Sequence, residues 1–347
     1  MRLRPVRPGD AWLTGRRAFV HLLAEAAERL GGRLELEEAF GHVGRYHPPA
    51  GPPRPIFGNA LGLNPDAAAA LATDKDYTAR LLAAEGLPAP RGMALFSPAY
   101  AARMRLKNAA VAGALPGLAE AEACAAALGY PVVLKPNTGS EGRGVHRPAD
   151  AAELRADIAA LFATDERLRL EERLQGEDIR ITVLDGRVRL AYRRQPVSVT
   201  GDGRSTLADL ARARLAALAA GHRGVKIATE DPRVQRSLAA QGLSLRDVPA
   251  PGRAVRLLDS ANLSTGGQME DLTGRLPEAA ERLALRAAAC LGLRLAGVDL
   301  IAPAIAEGIA GARVLEVNSA PGLDYYAAHG PAQYDLARAL VMDALSA

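Results

Sequence analysis

The sequence predicts an α+β protein, and three observations predict that class. Residues 168–205, LRLEERLQGEDIRITVLDGRVRLAYRRQPVSVTGDGRS, alternate apolar and polar side chains around LDGR, which is typical of antiparallel strands joined by a hairpin turn. The short apolar segments PVVLKP, GVDLI and VLEVN also predict strands. Between them, RRAFVHLLAEAAERL and STLADLARARLAALAAGH predict helices.

Composition restricts the class of protein further. The chain has 347 residues, 49% hydrophobic and 24% charged, which is typical of a soluble globular protein with one large domain or two to three modest subdomains. No apolar run approaches the ~18 residues of a membrane-spanning helix. Glu25 and Glu28 interrupt the first helical segment, which argues against a cleavable export signal. We therefore expect a cytoplasmic enzyme without a membrane partner.

The net charge argues against a nucleic-acid partner. A formal charge of +4 is small for this length, and no basic run is interleaved with aromatic residues. At the N-terminus, residues 1–66 contain one amphipathic helix and the Pro-rich YHPPAGPPRP. We expect this region to be a reduced N-terminal segment or dimerisation element followed by a linker, and the protein to form a homodimer.

Lysine is rare in this chain, since the 43 basic residues divide into 39 Arg and four Lys. A chain that otherwise uses Arg is expected to keep Lys where a compact ammonium is needed, for example against a phosphate. Two of the four, Lys75 and Lys135, lie in the segments ATDKDYTARLL and PVVLKPNTGSEGRGV.

The segment after Lys135 is rich in glycine. Glycines at 139, 142 and 144 let backbone N–H groups converge on one point, as in loops that bind phosphates. The chain contains neither GxxxxGK[ST] nor a GxGxxG after a strand, which excludes the common P-loop and dinucleotide motifs. Taken alone, the loop is better explained as a flexible hairpin loop, and only the other motifs favour a phosphate-binding role.

Polar side chains also interrupt the two apolar strands near the C-terminus. Glu316 and Asn318 are two residues apart in a strand and therefore share a face, and Asp299 lies in the middle of GVDLI. Burying an unpaired carboxylate costs several kcal/mol, roughly, unless it meets a partner or a metal. Magnesium would satisfy such a group, because it prefers one or two carboxylates plus substrate phosphates. A salt bridge between Glu316 and an arginine is the alternative.

The order of these motifs resembles the ATP-grasp carboxylate–amine ligases. DK, PVVLKP with its glycine-rich loop, LEERLxGxDxR, NLSTGG, GVDLI and LEVNSAPG follow one another over residues 57–347. The pattern is similar to the ATP-grasp module of cyanophycin synthetases and bifunctional glutathione synthetases, and more generally to RimK-type ligases. The resemblance implies two antiparallel-sheet lobes that clasp ATP, preceded by a reduced N-terminal lobe. The ATP-grasp domain would span residues 67–347, with a central lobe at about 130–195 and a C-terminal lobe at about 196–347.

The resemblance also implies roles for individual residues around ATP and two Mg²⁺ ions. Those expected to bind the phosphates are Lys75, Lys135, Ser140, Glu141, Gly142 and Gly144. Those expected to bind the adenine and ribose are Glu171, Glu172, the backbone of Leu174, and Asp178. The expected magnesium ligands are Asp299, Glu316 and Asn318. Without the resemblance, the acidic cluster at 171–178 is also compatible with a solvated face.

Further roles concern the reacting groups. Arg180 and Arg194 match arginines that face the reacting phosphate and acid. Leu257-Leu258 stands where cyanophycin synthetases usually have Leu-Arg, so Arg256 is the candidate replacement for the missing arginine. The residues that match a substrate-binding loop are Asn262, Ser264, Thr265, Gly266 and Gly267. Tyr325 follows the APG turn, where it would either contact substrate or pack in the core.

The implied reaction is ATP-dependent amide-bond formation between an acid and an amine, with an acyl-phosphate intermediate and ADP and phosphate as products. Amino acids or short peptides are the expected substrates. Two alternatives are an ATP-grasp enzyme that modifies a protein or ribosomal peptide tail, and a non-catalytic ATP-binding protein. The sequence does not identify the acid or the amine.

Overall fold

The structure is a computed structural model that describes residues 1–139, 142–220 and 227–347. The strands are β1 Leu3–Val6, β2 Arg33–Glu37, β3 Val43–His47, β4 Arg54–Phe57, β5 Gly92–Phe96, β6 Val132–Pro136, β7 Arg167–Glu172, β8 Glu177–Leu184, β9 Arg187–Gln195, β10 Ser198–Thr200, β11 Ala254–Arg256, β12 Gln268–Asp271, β13 Leu295–Ala302 and β14 Arg313–Asn318. The helices are α1 Ala18–Arg29, α2 Asp66–Thr73, α3 Lys75–Ala84, α4 Pro98–Lys107, α5 Ala109–Gly113, α6 Leu118–Leu128, α7 Ala151–Phe162, α8 Leu207–Ala220, α9 Pro232–Ala239, α10 Glu278–Cys290, α11 Asp324–Ala327 and α12 Pro331–Ser346.

Helices and antiparallel sheets confirm the predicted α+β class. The chain divides into two compact units, each assembled from separate stretches of sequence. Unit 1 comprises residues 1–63, 178–276 and 320–347, and unit 2 comprises residues 64–177 and 277–319. In the described residues, no helix is both long and apolar enough to cross a bilayer. The lobe boundaries implied by the resemblance stay a prediction.

The N-terminal part of unit 1 is a four-stranded antiparallel sheet in the order β1-β2-β3-β4. Helix α1 buries one face, including Phe19, Val20 and Leu23, as its amphipathic pattern predicts. The Pro-rich segment YHPPAGPPRP runs from the end of β3 to the start of β4, and its residues 48–53 connect these two paired strands. Tyr46 and Ile56 are buried there, and the prolines obscured the alternation of these short strands.

Glu37 holds the turn that follows β2. Its carboxylate accepts hydrogen bonds from the backbone N–H groups of Ala39 at 2.7 Å, Phe40 at 2.9 Å and His42 at 2.9 Å. The hydrogen bond from His42, together with those from Phe40 and Ala39, lowers the pKa of Glu37 against the opposing effect of burial. Because the charged form is favoured, this carboxylate stabilises the fold above its ordinary pKa of 4.5 and loses that effect as the pH falls further.

We expect Glu37→Gln to lower the free energy of unfolding by about 1–2 kcal/mol at pH 7, since hydrogen bonds to a charged acceptor are lost. The difference from the parent protein should narrow as the pH falls below 4.5. Urea unfolding at several pH values measures both effects. Glu28→Gln, at an exposed position of α1, is the control and should change little. A pH-independent loss for Glu37→Gln would contradict this role of the charge.

The predicted LDGR hairpin is present in unit 1. Strands β8 and β9 pair antiparallel, with Leu184 opposite Arg187. Asp185 and Gly186 both have positive φ, 47° and 69°, which is the type I′ geometry that matches the twist of a hairpin. Strand β12 pairs with the other edge of β9. A second small core surrounds the β10–β11 pair and includes Val197, Leu207 and Leu238.

Unit 2 contains the sheet β5-β7-β6, in which β7 is the central strand. Helices α6 and α7 pack on it and bury Leu95, Leu134, Leu154 and Leu170. The same unit contains the antiparallel pair β13–β14. These strands carry most of the predicted phosphate and metal residues, so unit 2 positions the candidate site described next.

Candidate functional site

The predicted site residues fall into two groups, one in each unit. The described members in unit 2 are Lys75, Lys135, Gly142, Gly144, Glu171, Glu172, Leu174, Asp299, Glu316 and Asn318. The members in unit 1 are Asp178, Arg180, Arg194, Arg256, Asn262, Ser264, Thr265, Gly266, Gly267 and Tyr325. Ser140 and Glu141 lie outside the described residues.

Lys135 lies at the end of β6, where its ammonium donates to the carboxylate of Glu171 on β7. The two residues are 7% and 2% exposed, so this is a buried ion pair. Arg169 donates through Nε to the other oxygen of Glu171 at 2.8 Å. Burial raises the pKa of Glu171, but the charges of Lys135 and Arg169 outweigh it, and the pKa lies below its ordinary value. Glu171 is therefore a carboxylate shared by two cations.

Gly92 on β5 allows close approach of the part of β7 that carries Glu171. It lies opposite Glu171 in the β5–β7 pairing. A Cβ atom at Gly92 would lie 2.1 Å from the carbonyl oxygen of Leu170 and 2.9 Å from the Cβ of Glu171, which no side chain tolerates. The position therefore requires glycine, because any larger residue would displace the strand that carries Glu171.

Lys75 is the first residue of α3, and its neighbours fix it against the start of the glycine-rich segment. Asp74 caps the helix by accepting from Tyr77 N at 3.0 Å. Lys75 N donates to Asn137 O at 3.2 Å, and Lys75 Nζ donates to Gly139 O at 2.7 Å. The predicted DK and LKPN motifs are thus hydrogen-bonded to each other.

Helix α3, which begins with Lys75, packs against β14, which carries Glu316, and charged groups of β14, β6 and β7 influence the pKa of Lys75. Burial lowers the pKa of Lys75, and the positive charge of Lys135 lowers it further. The negative charges of Glu316 and Glu171 raise this pKa, but they do not outweigh the effect of burial. The ammonium of Lys75 therefore interacts with a carboxylate of β14, a lysine of β6 and a carboxylate of β7. Unit 2 brings together two lysines and two carboxylates that are distant in the sequence.

The glycine-rich segment has the backbone geometry that its composition predicts. Gly142 and Gly144 have φ of 69° and 64°, in the left-handed region that favours glycine. A Cβ atom at Gly144 would also come within 3.0 Å of the Pro136 ring. Pro136, Thr138, Gly139, Arg143 and Gly144 are among the residues that line a cavity of about 420 Å³ in unit 2. The segment therefore borders a space next to the end of β6.

Asp299 and Glu316 lie directly opposite each other in the β13–β14 pair. Asn318 donates through Nδ2 to Glu316 Oε1 at 3.0 Å, so the predicted shared face of residues 316 and 318 is observed. The register shifts after Asp299, because Leu300 pairs with Val314 and leaves Leu315 as the extra residue of a β-bulge. This bulge, which the alternation pattern did not predict, explains why Val314 and Val317 are both buried.

The donor set of this strand pair fits magnesium. In the described residues, no three His, Cys, Asp or Glu side chains come together as a metal centre. Magnesium does not need such a centre, since it takes one or two carboxylates and completes its shell with water and phosphate oxygens. Asp299, Glu316 and the amide of Asn318 supply oxygen ligands of this type. The set therefore fits a metal that arrives with a phosphate ligand.

Glu172 and Leu174 occupy the end of β7 and the turn beyond it. The carboxylate of Glu172 accepts from Arg91 N at 3.0 Å and from Arg91 Nε at 2.9 Å. Leu174 is half-buried. Gly176, two residues later, fits against the backbone of β13, since a Cβ there would lie 2.2 Å from Ala302 O. The glycine of the LxGxD motif is thus required by close packing inside unit 2.

In unit 1, Asp178 and Arg194 form a cross-strand pair between β8 and β9. Arg194 donates to Asp178 Oδ1 through Nε at 3.0 Å and through its terminal nitrogen at 2.5 Å. Arg180 lies opposite Tyr192 in the same pairing and, two residues from Asp178, on the same face of β8. Arg256 lies at the end of β11 and is exposed.

The segment 262–267 forms a tight turn in unit 1. Asn262 O accepts from Thr265 N at 3.1 Å, Thr265 Oγ1 at 2.9 Å and Gly267 N at 3.1 Å. Ser264 and Thr265 are buried. Gly266 has φ of 92°, and a Cβ at Gly267 would lie 2.6 Å from a backbone oxygen, so both glycines are required here.

The two tyrosines after the APG turn differ in their environment. Tyr325 is half-buried on α11. Tyr326 is 1% exposed, stacks on Tyr192 with ring centroids 5.4 Å apart, and donates to Asp271 at 3.1 Å. Tyr326 is therefore a core residue, whereas the proposed contact of Tyr325 with substrate stays a prediction.

Comparison with known proteins identifies the fold that carries these residues. Residues 113–201 match the family model "D-ala D-ala ligase C-terminus", and residues 259–341 match the "RimK-like ATP-grasp domain". The chain has the ATP-grasp fold. The predicted fold is therefore confirmed. ATP-grasp enzymes use ATP and Mg²⁺, while the residue roles in this chain stay predictions.

This ATP-grasp chain is similar to part of several larger proteins. It is 33% identical over 270 residues to a cyanophycin synthetase of Trichormus variabilis, covering 74% of this chain and 27% of the relative. It is 30% identical over 238 residues to the glutathione biosynthesis bifunctional protein GshAB of Enterococcus faecalis, covering 66% and 29%. The chain thus spans less than a third of the curated relatives that it matches.

A solved structure supports the same fold. The crystal structure of a bifunctional glutathione synthetase from Pasteurella multocida superimposes with a TM-score of 0.57 at 22% identity. The superposition covers 94% of this chain and 44% of the other.

Sequence reasoning missed several residues that contact and support the candidate site. Arg169, Asp76, Asn137 and Gly92 contact the predicted residues but carry no recognisable motif. A possible signal was the even spacing of Arg167, Arg169 and Glu171 in RLRLEE, which places charges on one face of β7. The first five residues of β7 alternate between charged and apolar side chains, which predicts a strand with one exposed face. Residues 168–171 are nevertheless all buried.

Proposed function

We propose that this chain is an ATP-dependent carboxylate–amine ligase that forms an amide bond through an acyl phosphate and releases ADP and phosphate. The observation that carries the proposal is the charge arrangement in unit 2. Lys75 and Lys135 adjoin the glycine-rich segment, and α3, which begins with Lys75, packs against β14, which carries Glu316. Cations suited to phosphates and carboxylates suited to a metal therefore lie within interaction distance.

Lys75 and Lys135 would bind the phosphates. Each ammonium has three donors, so Lys135 can keep its bond to Glu171 while it donates to a phosphate oxygen. Lys75 now donates to Gly139 O, which directs it toward the same glycine-rich segment. Gly142 and Gly144, together with Ser140 and Glu141, would bring backbone N–H groups to the phosphates.

Asp299, Glu316 and Asn318 would hold Mg²⁺, with two ions as the expected number. When bound, Mg²⁺ would neutralise charge on the transferring phosphate. The bulge in β14 supports this assignment, because bulges next to active sites direct side chains away from a regular strand surface.

The nucleoside would contact the end of β7 and the start of β8. Glu171 uses two of its roughly four lone-pair positions for Lys135 and Arg169, which leaves acceptor capacity for the adenine amino group. Glu172 and the backbone of Leu174 complete the proposed adenine contacts. Asp178 would accept from the ribose hydroxyls, and its existing bond to Arg194 fixes its orientation.

The proposed reaction needs charge stabilisation and positioning more than a protein nucleophile. A carboxylate is a poor electrophile until it is phosphorylated, and phosphoryl transfer is accelerated chiefly by electrostatics and alignment. Arg180, Arg194 and Arg256 are the arginines proposed to stabilise the reacting groups. The proposed substrate contacts are the turn residues Asn262, Ser264, Thr265, Gly266 and Gly267, with Tyr325. The buried hydroxyl of Ser264 fits a carboxylate or acyl phosphate, whereas the hydroxyl of Thr265 would first have to release its bond to Asn262 O.

Amino acids or short peptides are the proposed acid and amine. The alternative acceptor, a protein or ribosomal peptide tail, has the same chemistry at the reacting carboxylate. A non-catalytic ATP-binding protein is disfavoured because both lysines and all three proposed metal ligands are present.

The products of the reaction test this proposal. With Mg²⁺, ATP and the correct acid–amine pair, we expect ADP and orthophosphate in equal amounts, because the site is arranged around a transferring γ-phosphoryl group. A screen of amino-acid and dipeptide pairs for phosphate release finds the substrates, and peptide acceptors form a separate arm. Hydroxylamine in place of the amine should trap the acid as a hydroxamate. Stoichiometric AMP and pyrophosphate would contradict the acyl-phosphate mechanism.

A further inference from the structure

Arg169 is among the largest fully buried side chains in the described residues. Its guanidinium makes three bonds within unit 2: to Glu171 Oε2 at 2.8 Å, to Asp76 Oδ1 at 2.6 Å and to Pro90 O at 3.0 Å. These partners lie on three different elements, β7, α3 and the segment before β5. One buried cation thus connects the helix that begins with Lys75 to the strand that carries the partner of Lys135.

The strand register makes this arrangement unusual. Arg169 lies directly opposite Lys135 in the β6–β7 pair. Like charges at opposite positions of an antiparallel pair repel each other, because their side chains share a face. Glu171, two residues along the same face, separates the two cations by binding Lys135 with one oxygen and Arg169 with the other.

Stability alone does not explain a buried ion network of this kind. Replacing buried ion pairs with apolar residues of similar volume is often neutral or stabilising, because desolvation offsets the attraction. Asp76 is 3% exposed and Arg169 is 2% exposed, so both charges are fully desolvated. A role in positioning other charged groups is a better explanation for their presence.

We propose that Arg169 is a positioning residue for nucleotide binding: it fixes Lys135 through Glu171 and Lys75 through Asp76, and so sets the spacing of the two lysines. The inference rests on the proposed function, since it assumes that these lysines bind the phosphates. Each link has a defined geometry. Glu171, held by Arg169, orients the Lys135 ammonium. Asp76, whose carboxylate accepts from Arg169, directly follows Lys75. The backbone N–H of Asp76 donates to Asn137 Oδ1 at 3.0 Å.

Arg169 also affects the charge that a phosphate would encounter. With Arg169 absent, Lys135 alone would have to neutralise Glu171, and a phosphate would compete with that carboxylate for the same ammonium. Because Arg169 shares the carboxylate, Lys135 keeps more of its attraction for a phosphate.

The test is the affinity for Mg²⁺ and a non-hydrolysable ATP analogue, measured by titration calorimetry on the full chain. We expect Arg169→Met to raise the dissociation constant at least 10-fold. In steady-state phosphate release, KM for ATP should rise far more than kcat falls, and Arg169→Lys should recover part of the affinity. In the Glu171→Gln background, the same Arg169→Met change should cost only the 3- to 5-fold expected from the loss of the Asp76 link, because the Glu171 link no longer involves a charged carboxylate.

Two further variants make the result decisive. Arg155→Met removes an exposed arginine of unit 2 that pairs with Glu122, and it should leave the affinity unchanged. Asp76→Asn keeps the Arg169–Glu171 bond and an Oδ1 acceptor but removes the negative charge that attracts Arg169 to α3, and a 3- to 5-fold weaker affinity is expected. It is the test variant if Arg169→Met does not fold. Unchanged affinity in the folded variants would overturn the role of Arg169. Absence of nucleotide binding by the unmodified chain would instead contradict the proposed function.

Discussion

Lys135→Met is expected to reduce ATP turnover on the order of 10²–10³-fold, similar to the loss of one preorganised group that stabilises a transition state. Methionine keeps the length of the side chain but removes the ammonium from the end of β6. Glu171 remains paired with Arg169, so the substitution does not leave an isolated buried charge. The chain should therefore fold, and phosphate release should fall while the circular dichroism and the melting transition remain close to those of the parent protein.

Lys107→Met is the matched control, since Lys107 lies at the exposed end of α4 in the same unit. It should retain full turnover. If Lys135→Met also kept near-native turnover in a folded protein, the assignment of the phosphate site to the end of β6 would be wrong.

Local patterns predicted much of this site. The position of Lys135 at the end of a strand, the LDGR hairpin and the shared face of Glu316 and Asn318 depend only on residues close in sequence. Strand period and turn chemistry are strong local signals. These elements therefore lie where the sequence predicts them.

Interactions between distant segments were not predictable in this way. Gly92 lies opposite Glu171, and Arg169 binds Asp76, each across roughly eighty to ninety residues of sequence. Their meaning depends on the order β5-β7-β6, which no local pattern determines. Arginine is normally an exposed residue type, so the sequence predicts that Arg169 is exposed. Arg169 is buried because its charge is paired with the carboxylates of Asp76 and Glu171.

The bulge at Leu315 and the N-terminal sheet show two other limits. A bulge adds one residue to a strand without changing the types of residue in it. The alternation of buried and exposed side chains is therefore interrupted at a position that the sequence does not predict. Strands β3 and β4 are five and four residues long and flank a Pro-rich connection. Because proline is rare in strands, its frequency in this segment indicated a linker and not two short strands.

Glu316→Gln is expected to change the response to magnesium in a way that separates a metal ligand from a structural residue. Asp299 and Glu316 lie opposite each other, and together they place two negative charges beside the proposed phosphate site. If they bind Mg²⁺, neutralising one should lower Mg²⁺-dependent turnover on the order of 10²–10³-fold. The Mg²⁺ concentration that gives half-maximal turnover should also rise.

The affinity for metal-free ATP should change in the opposite direction. Without metal, the carboxylate of Glu316 repels the phosphates and attracts Lys75, so its neutralisation should strengthen binding of ATP in the presence of a chelator. Glu307→Gln, at an exposed position in the connection between β13 and β14, is the control and should alter neither measurement. A merely structural Glu316 would weaken binding with and without Mg²⁺ alike. That outcome would show that Glu316 is not a magnesium ligand. For a magnesium ligand, Glu316→Gln should weaken the response to Mg²⁺ but strengthen the binding of metal-free ATP.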